Sequence, residues 1–254
     1  MKAVMLCCDK YLISAYHTII TYEHYIPDNN FTFLVPYNDV IPEYISKLKS
    51  ILNERLILIK CENKFKTTMT ALLNEIPDEE FIYWCSSDNY IHQIHDKEIF
   101  MKVKNSIEDG YNNEYDVTTI IYNKKYNKIK KELPKVFLNN IEYLVGPQWD
   151  NPVMNIWNHQ FMKAKLLKKI WELFDEPKKA KDLDYQLMNL KHRIYKDPVF
   201  NGCKNIYLDE KIIRLGENTS RGLMTANAYE HYKKLNLDEN LINIGINMEK
   251  SLLW

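Results

Sequence analysis

The sequence predicts an α/β protein, a mostly parallel sheet with helices on both faces, and three observations carry that expectation. Apolar strand-like runs alternate with helix-patterned stretches through the first 120 residues, the order that builds crossover units. The first run, Ala3 to Cys8, is apolar throughout, as a strand covered on both faces must be. With 254 residues, 46% of them hydrophobic, the chain has enough apolar surface for a sizeable core.

Each element has its own signal. Ile13 to Tyr25 carries helical spacing, and Phe31 to Val35 has the aromatic and branched content of a strand. Pro42 opens a helix reaching about Leu52, because the first turn of a helix tolerates proline. Leu56 to Ile59 reads as a third strand, and Thr67 to Glu75, with Met69, Leu72 and Leu73, as a helix. After the polar turn Pro77-Asp78-Glu79-Glu80 comes a fourth strand, Phe81 to Cys85. Asp116 to Tyr122 is a further strand, and Lys135 to Val145 holds one or two more. The stretch GPQWDNPVMNIWNHQ, residues 146–160, is rich in turn formers and reads as a shaped loop. Leu167, Ile170, Trp171 and Phe174 share one helical face, predicting a helix from about Gln160 to Phe174 with Lys163, Lys165, Lys168 and Lys169 largely off that face. Asp182 to Ile194 is a second helix, opened by an acid suited to its N-terminus. Ala228, Tyr229, Tyr232 and Leu235 mark a last amphipathic segment. Without a repeat or low-complexity linker, the expectation is one domain, 1–254, with two functional halves, about 1–120 and 121–254.

Charge divides the same way. Net charge is zero, yet residues 1–120 carry 18 acidic and 11 basic side chains while residues 121–200 carry 9 and 16. The lysines from Lys124 to Lys135 either solvate a surface or form a basic lip for an anionic acceptor or a lipid headgroup at the inner membrane face. A neutral chain without a nucleic-acid-binding signature argues against a nucleic-acid partner. Five cysteines without a regular framework read as reduced thiols and place the protein in the cytoplasm. Asp9 and Lys10 interrupt the opening MKAVMLCC before a signal-peptide core forms. No apolar run approaches the roughly 18 residues of a transmembrane span.

The chemistry centres on Ser86-Ser87-Asp88-Asn89, placed at the exit of the fourth strand. In parallel sheets ligands bind outside the carboxyl ends of strands. A carboxylate there, flanked by hydroxyls and an amide, suits a hard cation bridging phosphates or the hydroxyls of a ribose. The order of elements and this tetrapeptide resemble the GT-A glycosyltransferases. These are Rossmann-like enzymes whose N-terminal half binds a nucleotide sugar and whose fourth strand ends in an acidic element. Over roughly residues 1–195 the resemblance is one of order and spacing. It implies a nucleotide-sugar donor contacted by Asp9, Lys66, Ser87, Asp88, Asn89 and Arg221. It also implies a divalent cation, Mn2+ or Mg2+, on Asp88 and a late histidine, His192; one acid stands where the family element has two, which weakens the hold on a metal.

The resemblance continues into the second half. A tryptophan-containing segment precedes an acceptor-side helix in that superfamily, and an acid opening the next helix acts as base. Trp149 and Trp157 then face a glycan or lipid-linked acceptor, and Asp184, with Asp182 second, takes the acceptor proton in an inverting displacement that transfers a hexosyl or related unit. Plainer roles stand beside these: a helix cap for Asp88, dipole partners for Asp182 and Asp184, packing for the tryptophans, and surface charge for Asp9 and Lys66. A nucleotidyltransferase on a similar sheet is a rival, although Cys7-Cys8-Asp9-Lys10-Tyr11 holds no glycine for a phosphate loop; a non-catalytic nucleotide- or glycan-binding module is another. Two more segments carry candidate chemistry. His92, His95 and Asp96 would share a metal if residues 92–95 were helical. GENTSRG, residues 216–222, offers Thr219, Ser220 and Arg221 as donors on a loop closing over a diphosphate.

Overall fold

A computed structural model of the chain describes residues 1–120, 132–146, 158–177, 182–183, 185–186, 189, 197–210, 212–220, 223–237 and 246–247. Four parallel strands come first: β1 (Lys2–Leu6), β2 (Thr32–Tyr37), β3 (Leu56–Lys60) and β4 (Phe81–Ser86), in the spatial order β3-β2-β1-β4. Between them run α1 (Leu12–Tyr25), α2 (Glu43–Leu52) and α3 (Phe65–Leu73). All seven elements are those expected, with ends moved by a residue or two. Alternation along β1 sends Ala3 and Met5 into one core and Val4 into the other, so both faces of the strand are dry. Over the first face lie α1, α2 and α4 (Lys97–Glu108), with Ile19, Leu48, Phe100 and Val103 in its core. Over the second lie α3 and α5 (Ala164–Leu173), which bring Met69, Leu72, Leu166 and Ile170 together.

The sheet extends past β4 through short strands from later in the chain. They are β6 (Val117–Thr119), β7 (Lys135–Leu138), β8 (Ile141–Val145), β9 (Gln160–Lys163) and β10 (Asn205–Tyr207), and the nine-strand order ends β4-β9-β6-β10-β8-β7. Only β9 and β8 run against the rest; the sheet is mixed and mostly parallel. Residues 160–163 are a correction to the expected helix from Gln160. Their backbone pairs with β4 on one side and β6 on the other, so ladder hydrogen bonds for a central position outweigh the helical period of the apolar residues that follow.

A second correction concerns residues 89–95. Asn89–Ile94 form a strand, β5, joined to β4 by the two-residue turn Ser87-Asp88. Asp88 therefore caps no helix, and His92 and His95 do not share a helical face. Asp96 instead caps α4, its Oδ1 accepting from the Ile99 amide at 2.8 Å. Strand β5 pairs with β11 (Ile213–Glu217) in a separate two-stranded sheet, and β12 (Thr219–Ser220), β13 (Leu223–Thr225) and β14 (Ile246–Asn247) form a third. The last helix, α6 (Ala226–Lys234), packs Ala228 and Tyr232 against Tyr90 of β5.

The uneven charge has a structural counterpart. Lys163 and Lys165 reach Glu79 at 3.0 and 2.8 Å and Asp116 at 3.5 and 3.2 Å, and Lys168 reaches Asp78 at 2.7 Å. Lys163 at the end of β9 and Lys165 and Lys168 of α5 thus neutralise Asp116 and the acidic turn before β4. Among the described residues no helix is long and apolar enough to cross a membrane.

Candidate functional site

Strand β1 lies between β2 and β4, so the chain winds outward on one side through β2 and β3 and then returns to add β4 on the other. Where winding reverses, the loops after the two central strands part and leave a crevice at their carboxyl ends. Leu6 of β1 and Ser86 of β4 are register partners at that edge. The turn Ser87-Asp88 and the segment after β1 both leave the sheet at that edge.

The turn is held from three directions. Ser87 donates its hydroxyl to the Leu6 carbonyl at 2.8 Å, tying β4 to β1. His159 fixes the last residue of β4. A carbonyl only accepts, so the 3.0 Å contact between His159 Nε2 and the Ser86 carbonyl puts the ring proton on Nε2. His159 Nδ1 then accepts from Tyr22, which in turn accepts from Tyr83, both at 2.7 Å. Burial holds this imidazole neutral, with its pKa lowered to about 4. The third support is Asn218, which is buried. Its amide nitrogen lies 3.1 to 3.2 Å from the carbonyls of Ser14 and Ser87 and the hydroxyl of Thr18. Its backbone N–H donates to the Asp88 carbonyl at 2.5 Å, and its Oδ1 accepts from Tyr232.

One residue further on, Thr219 donates its hydroxyl to Asp88 Oδ1 at 2.9 Å. Two segments that the sequence marked separately, SSDN and GENTSRG, therefore meet. The Asp88 side chain is solvent-exposed, yet surrounding protein desolvates its carboxylate enough to raise its pKa, against a lowering by the Thr219 bond. Such a group can accept hydrogen bonds from a ligand's hydroxyls. Asn89 is buried beside it, opposite Glu217.

Asp9, beyond β1, is the other carboxylate at this edge. Burial opposes its ionisation, but N–H bonds from Asn38 (2.6 Å), Asp39 (2.9 Å) and Val40 (3.2 Å) lower its pKa. Its carboxylate pins the loop after β2. Lys66 lies in the first turn of α3, but its ammonium turns to the Glu172 carbonyl at 3.4 Å, beside a 460 Å³ cavity between α3 and α5. Asp182 is half-buried. Asp184, Trp149, Trp157, His192, Arg221 and the lysines 124–131 lie outside the described residues.

Among the described residues no group of three or more His, Cys, Asp or Glu side chains is arranged to hold a metal. Of the described oxygens at the turn, one Asp88 oxygen already accepts from Thr219 and the Ser87 hydroxyl is turned to Leu6. That set fits poorly with Mn2+ or Mg2+, which need several converging oxygens, and no chemistry here is routed through a cation. Sequence reasoning missed Asn218, Tyr22 and His159. Asn218 was inside a marked segment, but an asparagine among turn formers gives no sign of the partners it will find some two hundred residues away.

The strand order defines an open-sheet α/β protein whose switch point falls between β1 and β4. No protein-family model matches the chain, and no curated protein matches it. Solved structures similar to it include LgtC, at 13% identity and TM-score 0.37 over 74% of this chain and 65% of that one. Staphylococcus aureus TarS 1-349, solved in complex with UDP-GlcNAc, is similar at 16% identity and TM-score 0.47, over 95% of this chain and 70% of that one. The 4-diphosphocytidyl-2C-methyl-D-erythritolsynthase of Anaerococcus prevotii is similar at 10% identity and TM-score 0.40, over 93% and 98%. The chain thus spans just under two thirds of the LgtC chain.

Proposed function

We propose that this chain is a glycosyltransferase that takes a nucleotide-diphosphate sugar at the crevice between β1 and β4 and passes the sugar to a hydroxyl of a glycan or related acceptor. The observation that carries the reading is Asp88: a carboxylate on the turn after β4, at the topological switch point, that accepts from Thr219. In this reading Asp88 accepts hydrogen bonds from ribose or sugar hydroxyls of the donor. Ser87 and Asn89 hold its turn, and Asp9 fixes the opposite rim. Arg221 is assigned to the diphosphate, and Trp149 and Trp157 to the acceptor; Lys66, expected at the diphosphate, turns instead to Glu172 of α5.

The reaction assigned to the site is a single inverting displacement. The acceptor oxygen gives its proton to Asp184, with Asp182 as second choice, and forms a bond to the anomeric carbon. The bond from that carbon to the diphosphate oxygen breaks, and nucleoside diphosphate leaves with the electron pair. A hexosyl unit, a lipid-linked acceptor, and a cytoplasmic protein resting on the inner membrane face through the Lys124 to Lys135 stretch belong to the same proposal; the divalent cation that the sequence suggested on Asp88 and His192 does not, because the oxygens at the turn suit it poorly. Melting the protein with UDP-, GDP-, ADP-, CDP- and dTDP-sugars tests it, because a ligand that binds only the folded form raises Tm. One base should raise Tm and its sugar should be slowly released from nucleoside diphosphate; a panel without any shift would remove the donor assignment.

A further inference from the structure

Away from the sheet edge lies the 460 Å³ cavity between α3 and α5. The two helices run antiparallel along it. Lys66, in the first turn of α3, reaches the Glu172 carbonyl near the end of α5 at 3.4 Å, and Lys168, one turn earlier in α5, reaches the Ile76 carbonyl just past α3 at 2.6 Å. Positions 66, 69, 70 and 73 recur at helical spacing, so the wall that α3 gives the cavity is one face of that helix. From Lys66 to Leu73 it extends roughly 10 Å. Met69, Leu73 and Trp171 line the cavity with apolar surface, and Lys66, Lys168 and Glu172 with charge.

Its two ends differ. At one, the Lys168 ammonium is satisfied by the Ile76 carbonyl and by Asp78 at 2.7 Å. At the other, the Lys66 ammonium makes only the long contact to the Glu172 carbonyl and has no carboxylate partner among the described residues. The acids at this end are engaged elsewhere: Glu172 Oε2 lies 3.2 Å from Lys169, and Glu176 accepts from the backbone N–H groups of Phe65 and Lys66 at 2.6 and 3.0 Å. Trp171 adds a second unmet donor. Its ring is packed by Phe65, Phe174 and Trp84, with centroids 4.8, 5.1 and 6.0 Å away, and its Nε1 is buried without an acceptor. A cation, a buried indole N–H and an apolar wall call for a mostly apolar molecule that carries an acceptor.

We propose that the cavity binds a small amphipathic monocarboxylate, its acid on Lys66 and its apolar body along Met69 and Leu73 against Trp171. The negative charge of Glu172 and Glu176 favours one anionic charge on the ligand over two, which separates a carboxylate from a phosphate monoester. The volume falls within the range of small-molecule sites, about 300–1,000 Å³. None of the lining residues is assigned to donor or acceptor, so this binding stands apart from the transfer reaction.

Octanoate is the probe, and the readout is the NMR signal of the Trp171 indole N–H in the isotope-labelled full chain, assigned with Trp171→Phe. Octanoate should shift that signal saturably, and nucleotide sugar should not displace it. Binding should weaken by about tenfold or more with neutral octanol and in Lys66→Met, each of which removes one charge from the pair. Thr70→Trp, at an exposed position on the rim, should block the cavity, and it decides the case if Lys66→Met does not fold. An indole that octanoate leaves unmoved, octanol bound as tightly as octanoate, unchanged octanoate binding in either variant, or displacement by nucleotide sugar overturns the proposal.

Discussion

Asp88 is pulled in two directions by its surroundings. Crowding by protein raises its carboxyl pKa, and the Thr219 hydroxyl lowers it. Removing the hydroxyl while keeping the shape leaves only the first influence. In Thr219→Val the acid limb of donor binding should therefore move to higher pH, and Thr219→Ser should restore it; donor Kd measured across pH would show the limb unmoved if Asp88 takes no part in binding. The sequence pointed to Asp88 because polar residues followed an apolar strand abruptly. It could not show that Asn218 and Thr219 would be its partners, because those contacts span about 130 residues and no local period encodes them. Nor could it show that His159, inside an expected loop, would complete a hydrogen-bonded chain from Tyr83 to Ser86.

Among elements, β11 positions the Asn218-Thr219 pair against the turn. It does so at close quarters: a Cβ on Gly216 would come within 2.5 Å of the Tyr90 ring. Gly216→Ala should push β11 off β5, destabilise the protein by about 1–3 kcal/mol as overpacking does, and weaken donor binding in step. Urea denaturation beside donor titration checks both; full stability with unchanged affinity would separate β11 from the site. The first four strands were legible because β/α alternation and apolar runs agree at every level. Strand β9 was not, since four residues before a helix share its apolar pattern and only pairing with β4 and β6 distinguishes them. Helix α4 did carry a signal: Phe100, Val103 and Ile107 lie at i, i+3 and i+7 behind Asp96, a residue equally readable as a metal ligand.

For the molecule as a whole, acid sensitivity should report its buried histidines. Burial lowers His17 to about 3, His159 to about 4 and His231 to about 4, against about 6.5 in the unfolded chain. Between those limits the unfolded state binds more protons, so stability is full above pH 6.5 and falls as pH drops toward 4. Each such histidine contributes up to about 1.4 kcal/mol per pH unit in that window. Urea midpoints from pH 7 to 4.5 should show the fall, and His17→Phe should flatten it. The same scale holds the account's central claim, that a nucleotide sugar sits at the switch point of the sheet against Asp88. Calorimetric titration of the wild-type chain and Asp88→Asn with the nucleotide sugar that raises Tm tests it most directly. The account predicts saturable binding by the wild type, weakened at least tenfold in the variant while its urea stability is kept; equal affinity in both would contradict it.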